Sequence, residues 1–477
     1  TTVLKSGWYE VSGDLKIGEG GIDIVGSVHL ILCDGADMFL DSYGLDRPGI
    51  RVEEGASLSI YGQDKDSGKL TVRAGNDAAA IGGAFRKTCG IVDIHGGEIT
   101  AVQFNRCMQG KGAAGIGGGA GNYDEKGGGG GDIRIHGGTV TVTYSQDGWA
   151  SGAGIGGGSY ADGGTVVIDG GTVTVQGGTL GAGIGGGRSG SGGNVTINGG
   201  TVEARGGRGT NGYGGAAGIG SGGETGMNPP PSSGGVTTIN GGFVKAIGDT
   251  KAFGIGAGAS SSGRMEMGVI TINGGTVVTT EWDDKDPSIG GDTTNSRLTI
   301  DGGSVKAWTV ADLAKNSKPA SVHRVTVKCT DLEGLVSVKG LEGYGTKDIY
   351  ALRDDKKEAS FVYLWLPDGT HRFTLSDGMT TLRYCVVVKG RDVQIEPLPP
   401  VREIGFFVNG KDIGETPSGD GWRYQDKVLT LEGAQTYVLS GAATNNEVQV
   451  KVVRQGATVV LSNAVVFAEG REALDVT

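Results

Sequence analysis

A Gly-Ile-Gly-Gly turn, a short strand closing on Ile-(Asn/Asp/His)-Gly-Gly, and a second strand of the Thr-Val-Thr-Val type follow one another seven times along this chain. The turn recurs at Ile81, Ile116, Ile155, Ile184, Ile219, Ile255 and Ile289, and the strand ending at Ile94, Ile135, Ile168, Ile197, Ile239, Ile272 and Ile300. The two series interleave without a gap, at a period of roughly 35 residues. A unit that short cannot bury its own apolar face, so each copy must stack on the next and the chain must wind as a solenoid.

Each copy offers three short strands between Gly-rich corners, for example Gly183-Ile184-Gly185, Asn194-Val195-Thr196-Ile197 and Thr201-Val202-Glu203-Ala204. Three strands and three corners per coil predict an all-β chain built on a right-handed parallel β-helix. Alternate residues point inward. Val195 and Ile197 should therefore stack on Val166 and Ile168 in one neighbouring coil and on Thr237 and Ile239 in the other. With coils about 4.8 Å apart, roughly ten of them span about 50 Å.

The solenoid is expected over residues 1–308, with atypical coils over 1–77 and the seven Gly-rich repeats over 78–308. Residues 309–396 lose the glycine phrase and read as ordinary strands, such as Phe361-Val362-Tyr363-Leu364-Trp365-Leu366, which predicts a small antiparallel β-sandwich. Pro397-Leu398-Pro399-Pro400 marks a linker. Beyond it, Tyr437-Val438-Leu439-Ser440-Gly441 echoes Tyr9-Glu10-Val11-Ser12-Gly13, so residues 397–477 read as the start of a second β-helix. The chain opens at Thr-Thr without a secretory leader and reads as a mature or trimmed piece.

Composition narrows the function classes. The 97 glycines do not fall at every third position, which excludes collagen. A net charge of −11 disfavours nucleic acid and anionic membranes as general partners. No run approaches the ~18 apolar residues that cross a bilayer. Cys33, Cys89, Cys107, Cys329 and Cys385 form neither a disulfide framework nor a CxxC metal spacing. They read as buried thiols, with Cys89–Cys107 and Cys329–Cys385 as the bridges to test.

The residue before each Gly-Gly corner runs His95, His136, Asp169, Asn198, Asn240, Asn273, Asp301. Stacked at a corner, these side chains can bond to one another as an Asx ladder. The alternative makes His95, His136 and Asp169 a metal or acid–base cluster, two imidazoles and a carboxylate brought together by adjacent coils. A second candidate is the acidic run Glu281-Trp282-Asp283-Asp284-Lys285-Asp286. Paired carboxylates suit glycosidic cleavage, with Asp283, Asp284 and Glu281 as catalytic candidates, and hard oxygens equally suit calcium. A solvated acidic loop is the plain alternative. Trp282, Tyr123 with Asp124, Trp149 and Tyr160 offer aromatic faces for sugar contact in inserted corners. No resident cofactor is expected beyond calcium.

The opening Ser-Gly-Trp-Tyr-Glu-Val-Ser-Gly-Asp, the segment Leu30-Ile31-Leu32-Cys33-Asp34-Gly35-Ala36, Leu58-Ser59-Ile60-Tyr61-Gly62-Gln63 and the tandem glycine units resemble a family of Gly-rich β-helix surface proteins from gut-type anaerobic bacteria. The resemblance covers about residues 5–308. It implies a multidomain, secreted or cell-surface protein that binds carbohydrate or acts as an adhesin, with a glycan or host-surface ligand as partner. It supplies no catalytic residues. A polysaccharide hydrolase or lyase is the rival expectation, and a purely structural spacer the third. Oligomeric state is not readable from the sequence.

Overall fold

A computed structural model describes residues 1–18, 20–104, 112–122, 124–144, 151–209, 214–224, 232–260, 265–279, 288–292, 294–307, 322–354, 359–390, 392–398, 405–413, 417–443, 449–453, 455–466 and 474–476. Residues Thr1–Leu398 form one compact unit and Pro399–Thr477 another. All the regular elements described are strands.

The first unit is a parallel β-helix. Every glycine repeat contributes a two-residue strand, a four-residue strand and a third of three to six residues, as in Ile155–Gly156, Thr165–Ile168 and Thr172–Gln176. Each pairs in parallel with its counterpart in the next copy. Val166 and Ile168 face Val195 and Ile197, which in turn face Thr237 and Ile239. All six are buried, and the stacked aliphatic side chains join one continuous core from Val11 to Ala307. Burying each such side chain contributes about 1.5–3 kcal/mol.

The N-terminal coils differ for a reason visible in the pairing. Strand Ile22–Leu32 is long enough to pair with both Ile50–Arg51 and Ser57–Gly62 and runs on through Gly26, whose φ is 76°. In the glycine repeats the chain breaks into two strands there, and the first ends on a residue such as Gly156, with φ near +135° and its neighbour's backbone so close that a Cβ would lie 2.0 Å from the Gly185 carbonyl oxygen. Only glycine allows that approach.

Residues 322–398 form antiparallel strands around their own core, which includes Val325, Leu364, Phe373 and Tyr384. Strand Gly334–Lys339 divides its bonding, Gly334–Val336 with Ile349–Ala351 and Ser337–Lys339 with Thr374–Ser376, and so joins two sheets. This element also closes the last coil. Ser304 pairs with Leu364, and Trp365, 8 % exposed, enters the solenoid core while its indole donates to the Val305 carbonyl at 3.2 Å. Cys33, Cys89, Cys329 and Cys385 are free thiols, so neither proposed bridge forms on them; Cys107 lies outside the described residues.

The second unit has its own core of Phe406, Trp422, Leu429, Tyr437 and Val450. Parallel pairing returns here: Val428–Leu431 with Gln449–Val452, and Thr436–Ala443 with Thr458–Val466. The Tyr437 hydroxyl accepts from the Gly433 amide at 2.8 Å and lies 3.2 Å from the Gly433 carbonyl. Tyr9 makes the same double contact four residues back, to the Lys5 amide and carbonyl at 3.2 and 2.9 Å.

Candidate functional site

The corner between the second and third strand of each coil carries the polar column read from the sequence, and its contacts change character midway. Asn273 donates its amide to Asn240 at 2.8 Å, Asn240 to Asn198 at 2.8 Å, and Asn198 to an Asp169 oxygen at 2.7 Å. The other Asp169 oxygen meets His136 Nδ1 at 2.9 Å. This is an Asx ladder whose donors all point one way and terminate on a carboxylate, where negative charge strengthens the final bonds.

Beyond His136 the column becomes a stack of rings. His136 lies on His95 with centroids 4.7 Å apart, and His95 on Tyr61 at 4.5 Å with planes 5° from parallel. Tyr61 continues to His29 through a 3.4 Å contact of its hydroxyl with Nδ1, and His29 stacks on Trp8 at 4.3 Å. Trp8 is 63 % exposed. The pairing explains the alignment, since Tyr61 follows Ile60, which faces Ile94, and Trp8 faces His29 directly.

The stack sets the electrostatics. Crowding by its neighbours takes water from the His95 ring and lowers its pKa below the usual imidazole value; His136 and His29 add to this and Asp93 opposes it. Stacked imidazoles hold their nitrogen lone pairs in parallel planes, so His95 and His136 do not converge on one point with Asp169. Among the described residues, no group of three or more His, Cys, Asp or Glu side chains is arranged to hold a metal ion.

Of the remaining sequence candidates, Asp124 and Tyr160 are among the described residues. Glu281, Trp282, Asp283, Asp284, Tyr123 and Trp149 lie outside the described residues. Asp124 is exposed, in a tight turn where its amide donates to Asn122 at 3.0 Å. Tyr160 sits in a left-handed turn with φ 62°, and the Arg188 guanidinium lies 5.4 Å from its ring centre. Trp8, His29 and Tyr61 join the column from coils that lack the glycine phrase, and a ring in each of these coils is their sequence signal.

A family model described as a beta helix repeat matches residues 92–120, 133–159, 166–188, 195–223 and 238–259. These segments carry β-helix repeats, in keeping with the parallel coils they form. The matched segments each begin within a second strand and run past the following Gly-Ile-Gly turn, so they share the period of the polar column. No curated protein and no solved structure matches the chain.

Proposed function

We propose that this β-helix protein is an extracellular, non-catalytic glycan-binding or adhesin-like protein, and that the ring column from Trp8 to His136 is its sugar-facing strip. The observation that carries this reading is the exposed Trp8 ring backed by His29 and Tyr61. A large apolar ring held rigid from behind offers the flat face against which a sugar can lie, at little entropic cost. The resemblance to surface proteins of gut-type anaerobes agrees with it, and with a secreted or cell-surface location. A glycan array tests the reading: Trp8→Ala should abolish any binding that the parent shows while leaving its melting temperature unchanged. Binding that survives this change would remove the strip from the account.

One observation favours a polysaccharide-active enzyme as second reading. Asp169 is fixed on both oxygens and orients His136 through Nδ1, the arrangement of a general base held by a carboxylate. Product analysis after incubation with any bound glycan distinguishes the two, because cleavage lost in His136→Ala would support the enzyme.

A further inference from the structure

The second glycine of each Gly-Gly corner presents its backbone N–H to the outside in the same conformation, with φ of 90° at Gly97, 78° at Gly138, 80° at Gly171, 82° at Gly200, 84° at Gly242, 81° at Gly275 and 87° at Gly303. These donors form a row spaced by the coil repeat, about 4.8 Å. At both ends the chain fills the row itself. Gly97 N–H donates to the Asp66 carboxylate. Gly242 N–H donates to the Asp348 carboxylate at 2.8 Å, Gly275 N–H to the Lys347 carbonyl at 2.8 Å, and Gly303 N–H to the Gly345 carbonyl at 2.9 Å.

The last three partners belong to one segment, residues 345–348, which runs along the column as a strap. Lys347 Nζ reaches the Asn198 carbonyl at 3.2 Å and marks the strap's edge. Between the strap and Asp66 the row is open. Gly138, Gly171 and Gly200 are part-exposed and donate to no partner among the described residues, whereas Gly97, Gly242, Gly275 and Gly303 are buried under theirs.

We infer that this three-coil window binds a turn-forming, aspartate-containing peptide segment of another molecule, in the manner in which the chain's own strap, with left-handed Gly345 and Asp348, occupies the next three coils. The window spans about 10 Å between its outer donors, the span that strap residues 345–348 cover on Gly242, Gly275 and Gly303. The strap supplies the recognition chemistry: main-chain carbonyls on successive N–H groups and a side-chain carboxylate on one of them, the charged acceptor giving the stronger bond. Charge at the rim is mixed. The Lys347 ammonium favours an incoming carboxylate at one end, and Asp169, within the window, is engaged by His136 and Asn198. Main-chain bonding along a row of N–H groups selects a chain of peptide acceptors held as the strap holds its own. The window meets the strip from Trp8 to His136 at the corner that carries both His136 and Gly138, but its donors are backbone amides, so this inference does not rest on the glycan reading.

The test uses the whole chain and a labelled peptide with the strap's own sequence, Gly-Tyr-Gly-Thr-Lys-Asp-Ile. Fluorescence anisotropy should show binding that weakens about tenfold when the peptide's Asp is replaced by Asn, the loss expected for removing one charge-assisted bond. Amide NMR with glycine labelling should show the Gly138, Gly171 and Gly200 resonances moving while those of Gly97, Gly242, Gly275 and Gly303 stay. Trp8→Ala should leave the peptide affinity unchanged. No binding at millimolar peptide, equal affinity for the Asn peptide, shifts confined to other glycines, or loss of binding in Trp8→Ala would each overturn the inference. Polygalacturonate moving the three resonances where the peptide does not would overturn it in favour of an acidic glycan.

Discussion

His136 Nδ1 lies 2.9 Å from Asp169 Oδ2, and this contact is the point where a ladder of amides gives way to a stack of rings. Everything on the N-terminal side of it is aromatic and on the C-terminal side Asx. The stack makes the corner sensitive to acid. His95 has a folded-state pKa below its unfolded value of about 6.5, so between the two the unfolded chain binds more protons. Its contribution is intact above about pH 6.5 and is lost as the pH falls towards the depressed value. Melting temperatures between pH 8 and 5 should fall less steeply in His95→Asn than in the parent. An unchanged slope would show that His95 titrates normally.

The amide ladder predicts a directional cost. Asn240→Ala removes one bond donated to Asn198 and one accepted from Asn273, which should destabilise the chain by about 1–2 kcal/mol. Denaturant titration of the variant measures this, and a cost near zero would mean that water replaces both bonds.

The glycine corners should divide sharply by location. Gly156→Ala places a Cβ 2.0 Å from the Gly185 carbonyl oxygen and should cost more than about 4 kcal/mol or prevent folding. Gly13→Ala shares a positive φ of 84° but meets nothing within 4 Å, so only the backbone preference is lost, about 1 kcal/mol. Thermal melts of the two variants give the comparison.

Trp365 tests the closure of the last coil. Trp365→Ala should cost about 3–5 kcal/mol, because it uncovers the solenoid core and leaves the Val305 carbonyl without its donor. Trp365→Phe keeps most of the burial and should cost distinctly less.

Tyr437 and Tyr9 make the same contacts in different surroundings. Tyr437 is fully buried and its hydroxyl also donates to the Gly421 carbonyl at 2.6 Å, so Tyr437→Phe should cost about 1–3 kcal/mol. Tyr9 is half-exposed and Tyr9→Phe should cost less than about 1 kcal/mol. Equal costs would argue against equivalent roles set by burial.

Much of the solenoid was legible because its signals are local and periodic. The spacing of Ile168, Ile197 and Ile239 gives the pairing directly, since parallel coils bring equivalent positions together. The column His95 to Asn273 was legible for the same reason. Two things were not. The Trp8, His29 and Tyr61 part of the strip lies in coils without the glycine phrase, so no repeat marks its residues as neighbours. The strap joins Lys347 to Asn198, 149 residues apart, and no sequence pattern encodes a contact between a solenoid corner and an antiparallel loop. Which glycine N–H groups stay open depends wholly on that contact and on Asp66.

The stacked-coil arrangement is tested most directly by paired cysteines at Thr141 and Thr174, outward positions that face one another in adjacent coils. Cα atoms in such a parallel pair lie about 4.8 Å apart, within disulfide reach. The double variant T141C/T174C should cross-link under mild oxidation in the folded chain, and mass mapping should place the bond between those two residues. Cross-linking absent in this pair but present in T141C/T172C would mean that the coils are out of step, and the column, the strip and the open row would all fall with it.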